Sequence, residues 1–351
     1  MSGSSIGKIF KVTTFGESHG AAVGVIVDGV TPGVELCEND VQKELDRRKP
    51  GQSSVTTQRK ESDTVHFLSG VFEGKTTGTP LAMIIYNADQ RSKDYDNIKD
   101  LFRPGHADYT YLHKYGIRDY RGSGRASGRE TAGRVAAGAV ASKILAAKGI
   151  NITAYTLQIG KIRCKQYKPE CIDQNIVRAC DPDAAPAMIK LIEQRAAENN
   201  STGGIVECRI NGVPAGTGEP VFDKLDAELA KAIVSLGGVK GIEFGAGFAA
   251  VEMSGSEHND EMTPDGFASN NAGGIIGGIS TGNEIILRAA IKPTSSISRK
   301  QQTVNIANAP VVCETHGRHD PCLCPRIVPV VEAMCAITVL DMLKQQAAML
   351  A

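Results

Sequence analysis

Arg103, Arg118, Arg121, Arg125, Arg129 and Arg134 fall within the thirty-two residues RPGHADYTYLHKYGIRDYRGSGRASGRETAGR, together with His106 and His113. The chain as a whole carries 39 basic and 39 acidic residues, so this charge is local rather than general. Cations concentrated against a neutral background suit one specific anion, and their number suits an anion with several negative groups. Arg121 and Arg125 lie in a Gly-Ser-Gly loop, and Arg129 and Arg134 fall on the first turns of an expected helix. A helix start offers unpaired N–H groups and partial positive charge, and guanidinium forks grip carboxylate or phosphate. The competing reading is a solvated basic helix start, but neighbouring arginines repel one another unless an anion answers them.

Three further clusters could carry chemistry. Gly16-Glu17-Ser18-His19-Gly20 sets a histidine on a glycine-flanked turn, where it can exchange a proton near neutral pH. No G-x-S-x-G elbow accompanies it, so a hydrolase Ser/His pair is disfavoured. Lys292-Pro293-Thr294-Ser295-Ser296 follows an expected strand and offers a lysine, hydroxyls and N–H groups to a phosphate or a polar ring edge. Upstream, Gly273-Gly274-Ile275-Ile276-Gly277-Gly278 leaves room for a flat cofactor. Cys313, His316, His319, Asp320, Cys322 and Cys324 are zinc-ligand types, yet their spacing matches no common finger, so no metal is expected. Here Arg318, His319 and Asp320 read better as a loop facing a ligand. Gly122-x-Gly124-x-x-x-Gly128 misses a dinucleotide fingerprint by one residue and lacks the preceding apolar strand.

These side chains must be positioned by a chain of 351 residues, read here as one compact unit spanning residues 1–351. Strands are expected near Lys8–Thr14, Val23–Asp28, Thr64–Val71, Leu81–Tyr86, Ile152–Ile159, Gly204–Ile210, Phe248–Met253 and Glu284–Ile291. A first helix ends at Arg47-Arg48-Lys49, before Pro50. Ser127–Glu130 spells a capping box ahead of a helix over Gly128–Lys148, and further helices are expected at Ala185–Glu198, Lys224–Leu236 and Val330–Met349. Strand–helix alternation by itself suggests a doubly wound parallel sheet. The apolar run Ile327–Leu343 contains Glu332 and Asp341, so it reads as a buried helix rather than a membrane span. Balanced charge argues against nucleic-acid or membrane-surface partners. Nine scattered cysteines and an N-terminus without a secretory pattern fit a reducing cytoplasm.

Taken together, three segments resemble the signatures of the chorismate synthase family, over nearly the full chain. They are Gly16–Gly20 with the following Val-Gly-Val-Ile-Val-Asp-Gly, Gly124–Gly138, and Arg318–Cys322 through Pro325–Met334. The resemblance implies an α+β fold, a β-α-β sandwich with helices packed between antiparallel sheets, in place of the doubly wound alternative. It also implies a homotetrameric lyase that converts 5-enolpyruvylshikimate 3-phosphate to chorismate and phosphate. That reaction requires reduced FMN without net redox change, and NADPH is a candidate reductant. On the family pattern Arg48, Arg129, Arg134 and Arg326 would hold the phosphorylated dicarboxylate substrate. His19 would protonate the departing phosphate, and His106 would sit against the flavin. Asp320, helped by Ser18 and Ser127, would relay a proton. Flavin contacts would come from Arg125, Ala126, Ser127, Gly237, Gly238, Gly277, Lys292, Pro293, Thr294, Ser295, Ser296 and Arg318. Arg48 and Ser54 would meet a nicotinamide phosphate. Three positions depart from the pattern: Ser54 stands where many members have arginine, Gly237-Gly238 where they have Asn-Ala, and Ala126 where serine is common. The rival readings are a flavin or nicotinamide oxidoreductase acting on a phosphorylated substrate and, far behind, an RNA-binding module. The arginine loop around residues 121–134 lacks the interleaved aromatic residues that such a module would use.

Overall fold

Leu81, Met83 and Ile85 are buried, while the residues between them point the other way. This period of two makes Leu81–Tyr86 a half-buried strand, and its neighbours follow the same rule. In the computed structural model, which describes residues 3–57, 59, 61–88, 97–315 and 319–350, the first sheet comprises β1 (Ser5–Ile6), β2 (Lys11–Gly16), β3 (Ala22–Asp28), β4 (Val65–Phe67) and β5 (Leu81–Tyr86). The order is β1-β2-β3-β5-β4 and every pairing is antiparallel; Val25, for example, faces Met83. A second antiparallel sheet holds β6 (Asn151–Ile159), β7 (Ile162–Arg163), β8 (Gly204–Asn211), β9 (Val239–Phe244) and β10 (Ile285–Ile291), in the order β9-β10-β8-β6-β7.

Between the sheets lie the helices α1 (Glu38–Arg48), α3 (Thr131–Ala146), α5 (Leu225–Val234) and α6 (Cys324–Leu350). The remaining long helices are α2 (Asp108–Tyr115) and α4 (Ala185–Ala197). α3 packs on the first sheet and on α6, and α6 packs on β6 and β8 of the second. One apolar cluster runs through all these layers. The doubly wound alternative is therefore overturned, and the fold is α+β with helices sandwiched between antiparallel sheets.

α6 holds the layers together. Residues 327–342 are buried, as expected for an inner helix. Glu332 accepts from Arg47 of α1 at 2.6 Å and from the Ala154 N–H of β6 at 2.9 Å. Burial raises its pKa, and the Arg47 charge opposes that shift. Asp341 accepts from the N–H groups of Lys8, Ile9 and Phe10 at 2.8–3.1 Å, which fixes the turn between β1 and β2. At Gly138 of α3 an added Cβ would stand 2.3 Å from Ala333 Cβ, so the two central helices cross in contact through a glycine. The outward face of the second sheet is polar: Glu207 accepts from Tyr155, Arg209 and Arg288, each on its own or an adjacent strand.

Several element expectations change. Phe248–Met253 is not a strand but falls mainly in an exposed 3₁₀ turn, Gly247–Glu252, while the strand Val239–Phe244 carries too little alternation to stand out. The expected strand Thr64–Val71 is interrupted, leaving Val65–Phe67 and a separate short pair at Val71–Phe72 and Lys75–Thr76. α6 begins at Cys324, not Val330, and runs through Pro329. Among the described residues, no helix is long and apolar enough to cross a membrane.

Candidate active site

A cavity of about 1210 Å³ opens where loops from both sheets meet the helix layer. Its wall takes Ser18 from the β2–β3 turn, Arg48 from the end of α1, residues of the 103–134 segment, and Gly237 and Gly238 after α5. Lys292, Thr294, Ser295 and Ser296 beyond β10 join it, as do His319, Asp320 and Arg326 at the start of α6. Lys292 ties two of these loops together: its N–H donates to Gly238 O at 2.8 Å and its Nζ to Gly105 O at 2.6 Å. Burial and the nearby Lys240 lower its pKa. The lining holds eleven lysines and arginines against six carboxylates. Such an enclosed excess favours a polyanion.

The arginines are not waiting unpaired for that anion. Asp63, fully buried, accepts from Arg48 Nη1 at 2.7 Å and from Arg129 Nη1. Arg48 also donates to Thr131 Oγ1 at 3.1 Å and Gly128 O at 2.7 Å; Arg129 donates to Asn87 Oδ1 at 2.8 Å. Burial brings Arg48 down to about 10 with Asp63 opposing, so it remains charged at neutral pH. Arg134 pairs with Glu130 at 2.9 Å and reaches Ser235 Oγ at 2.5 Å. Arg125 lies on Thr14 Oγ1 at 2.7 Å, Arg59 on Glu61 at 2.6 Å, and Arg326 on Asp320 at 2.5 Å. Internal carboxylates thus answer much of the charge on these arginines. The capping box is corrected. Ser127 Oγ accepts from Arg129 N at 3.3 Å across a 3₁₀ turn, and Glu130 turns to Arg134 and Thr14 rather than back to the cap.

Three histidines stand at this site. His19 is buried with its ring against Gly122, a residue at φ +61° whose added Cβ would lie 2.0 Å from Nδ1. Burial first, then the Arg59 charge, lowers its pKa. His19 is not in the cavity lining; its chain neighbour Ser18 and its packing neighbour Gly122 are. His106 lies 3.4 Å from Asp108 and 3.2 Å from Ser123 Oγ, and burial lowers its pKa as well. His319 is brought down to about 4, chiefly by burial and then by Arg103. Its Nε2 is buried without a hydrogen-bond partner among the described residues, and so is Thr294 Oγ1. Asp320 accepts from the Thr57 N–H at 2.8 Å through Oδ1, leaving Oδ2 to Arg326.

Ala126, Ser127, Arg125, Arg129 and Arg134 all line the cavity. Ser54, Gly277 and Pro293 do not. Ser54 Oγ lies 3.4 Å from Glu193 of α4, and Gly277 sits in the turn between Ile275–Ile276 and Ile279–Ser280. Arg318 and His316 fall outside the described residues. Among those described, no cluster of His, Cys, Asp or Glu could hold a metal ion. Asp63, Arg59, Glu61, Asp108 and Ser123 were not singled out from sequence.

The pattern of the chorismate synthase family matches residues 10–343. The chain belongs to the chorismate synthase family. A chorismate synthase of Nitrosospira multiformis is 54% identical over 342 residues, 97% of this chain and 87% of the relative. One of Nitrosomonas europaea is 55% identical over the same length, covering 97% and 88%. A crystal structure of a chorismate synthase matches at a TM-score of 0.78 with 30% identity, covering 97% of this chain and 93% of the other.

Proposed function

We propose that the chain is the lyase that converts 5-enolpyruvylshikimate 3-phosphate to chorismate and inorganic phosphate, the last common step toward aromatic compounds, with reduced FMN bound. The observation that carries this reading is the single cavity into which all three family segments project residues, with cations in excess. Its size suits a flat cofactor beside a substrate, and pockets of this kind usually fall between about 300 and 1,000 Å³ for one ligand. Thr294 Oγ1 and His319 Nε2, buried and without hydrogen-bond partners among the described residues, offer polar partners of the kind a flavin could use. Arg125, Ala126, Ser127, Gly237, Gly238, Lys292 and Thr294–Ser296 would hold it. When bound, reduced flavin supplies a reversible source of electron density for an elimination whose departing hydrogen is not acidic.

The protein's own part is electrostatic and positional. The substrate carries a phosphate and two carboxylates, and taking them from water requires cations already in place. Arg134 and Arg326, at the cavity wall, with Arg48 and Arg129 braced by Asp63, meet that requirement. In the elimination the allylic C–O bond breaks, phosphate leaves with the electron pair, and a C–H bond breaks at the far end of the system. His19 would protonate the departing phosphate. Ligand-free, burial and Arg59 keep it from binding a proton, and an arriving phosphate dianion reverses that bias. Because the His19 ring packs against Gly122, which lines the cavity while His19 does not, its access would depend on that turn. Asp320, Ser18 and Ser127 would relay the remaining proton, and the same reading includes NADPH as a source of reducing equivalents, a homotetramer and a cytoplasmic setting.

The test supplies purified protein with photoreduced FMN and 5-enolpyruvylshikimate 3-phosphate. Chorismate absorbance should appear with one phosphate per turnover and no reductant used beyond priming. Reductant consumption matching product would favour an oxidoreductase instead.

A further inference from the structure

His106 is enclosed by a polar cluster that its sequence motif does not explain. Asp108, on the first turn of α2, accepts from Arg103 through both oxygens, Nε to Oδ2 at 2.7 Å and Nη2 to Oδ1 at 2.8 Å. Arg118 Nη1 lies 3.0 Å from Oδ1, and the backbone N–H of Arg103 adds a bond to Oδ2 at 3.1 Å. Arg103 Nη2 also donates to Ser123 Oγ at 2.6 Å. A guanidinium nitrogen of this kind has two hydrogens, and these short bonds use both. The third contact of Nη2, with His106 Nδ1 at 3.2 Å, is longer than either and could only share a hydrogen already engaged.

That leaves the imidazole to supply its own. An unprotonated Nδ1 would turn a lone pair toward Asp108 Oδ1 at 3.4 Å, whereas a protonated Nδ1 sets a positive N–H beside that carboxylate. Ser123 Oγ, already accepting from Arg103, keeps its single hydrogen for His106 Nε2, 3.2 Å away. Ser123 lies at φ +73°, a left-handed turn that brings this hydroxyl to the ring, and it lines the cavity.

We infer that Asp108, aligned by Arg103 and assisted by Ser123, is a positioning residue that holds His106 as the neutral Nδ1–H tautomer, leaving Nε2 as the atom that takes up and releases a proton. The inference rests on the proposed function together with the family pattern, on which His106 would sit against the flavin. The charged and titratable groups acting on the ring are Arg103 and Lys292, which disfavour a second proton, and Asp108, which favours it; His319 stands close by. A fixed tautomer matters because only one ring nitrogen can then serve the reaction, and an inverted ring presents a proton where a lone pair is needed.

Long-range ¹H–¹⁵N correlation of the histidine rings reads the tautomer without turnover, with His106 identified by the signal lost in His106→Gln. In the unmodified protein at neutral pH, Nδ1 should be protonated and Nε2 bare; a predominant Nε2–H form overturns the inference. Asp108→Asn should invert the tautomer, because the amide can present N–H to Nδ1. It should lower kcat by at least about tenfold with little change in the substrate KM. Retention of Nδ1–H in that variant overturns the inference. Should Asp108→Asn not fold, Ser123→Gly removes the hydroxyl at a position already suited to glycine. It should keep the Nδ1–H tautomer and raise the His106 pKa, since a bond to the neutral ring is lost. An unchanged titration there argues equally against it. Failure to form chorismate would sink the functional reading while leaving the tautomer result standing, so the two can fail separately.

Discussion

Asp63 illustrates how a site rich in arginine stays folded before any ligand arrives. Its carboxylate is fully buried between Arg48 and Arg129, and their charges, against burial, hold its pKa below the usual carboxylate range. Removing one partner of a buried ion pair leaves the other charge uncompensated, which costs about 3–5 kcal/mol. Asp63→Ala should therefore lower the unfolding free energy in urea by about that amount; a change below roughly 1 kcal/mol would show that water or a neighbour replaces the carboxylate. Sequence reasoning found the arginines but not this partner, and the reason is physical. Arg129 and Arg48 announce themselves by density and by a helix end, whereas Asp63 lies in Glu-Ser-Asp-Thr-Val, a stretch with no period and no motif. Its importance arises only when the chain returns to place it under two distant guanidinium groups. Arg59, which reaches Ser18 Oγ at 3.4 Å, was hidden for the same reason.

Elements were legible where a clear period or an unbroken apolar run marks the burial. β5 and the helix at residues 185–197 follow their periods closely, and the apolar run ending at Leu343 is the inner helix that it resembled. The misreadings occur where packing overrides local rules. Pro329 sits inside α6, so a boundary placed after it started the helix a turn and a half late. Phe248 and Val251 are apolar yet exposed, which removes the burial that an alternating pattern assumes. The crossing of α3 and α6 is the element-scale feature on which the site depends, because both helices begin at the cavity. Gly138→Val would force atoms into a gap already closed by Ala333. Overpacking of this kind costs about 1–3 kcal/mol, so the variant should melt earlier and lose part of its substrate affinity through displaced Arg134 and Arg326. Unchanged melting would mean that the helices slide apart freely.

At the scale of the whole molecule, neither strand direction nor the pairing of distant segments was visible in the alternation of strands and helices; it was the family segments that pointed to the sandwich. What the assembled molecule adds is a shared electrostatic bias on three histidines from separate parts of the chain. His19, His106 and His319 all have pKa values below the ordinary 6.5, with burial as the leading cause and arginines contributing. The unfolded chain takes up protons at these positions near pH 6.5, whereas the native state resists them. The stability they lend is thus complete above about pH 6.5 and declines as pH falls, for His319 down to about 4. Each can contribute a slope of up to about 1.4 kcal/mol per pH unit. Urea unfolding across pH 8 to 5 should show stability dropping on the acid side, and His319→Gln should make that drop shallower by roughly one proton. A polyanion in the cavity acts in the opposite direction, favouring the protonated rings, so saturation with the phosphorylated substrate should flatten the acid slope. An equally steep slope with and without that ligand would mean the histidines do not sense the anion, and the bias would then belong to burial alone.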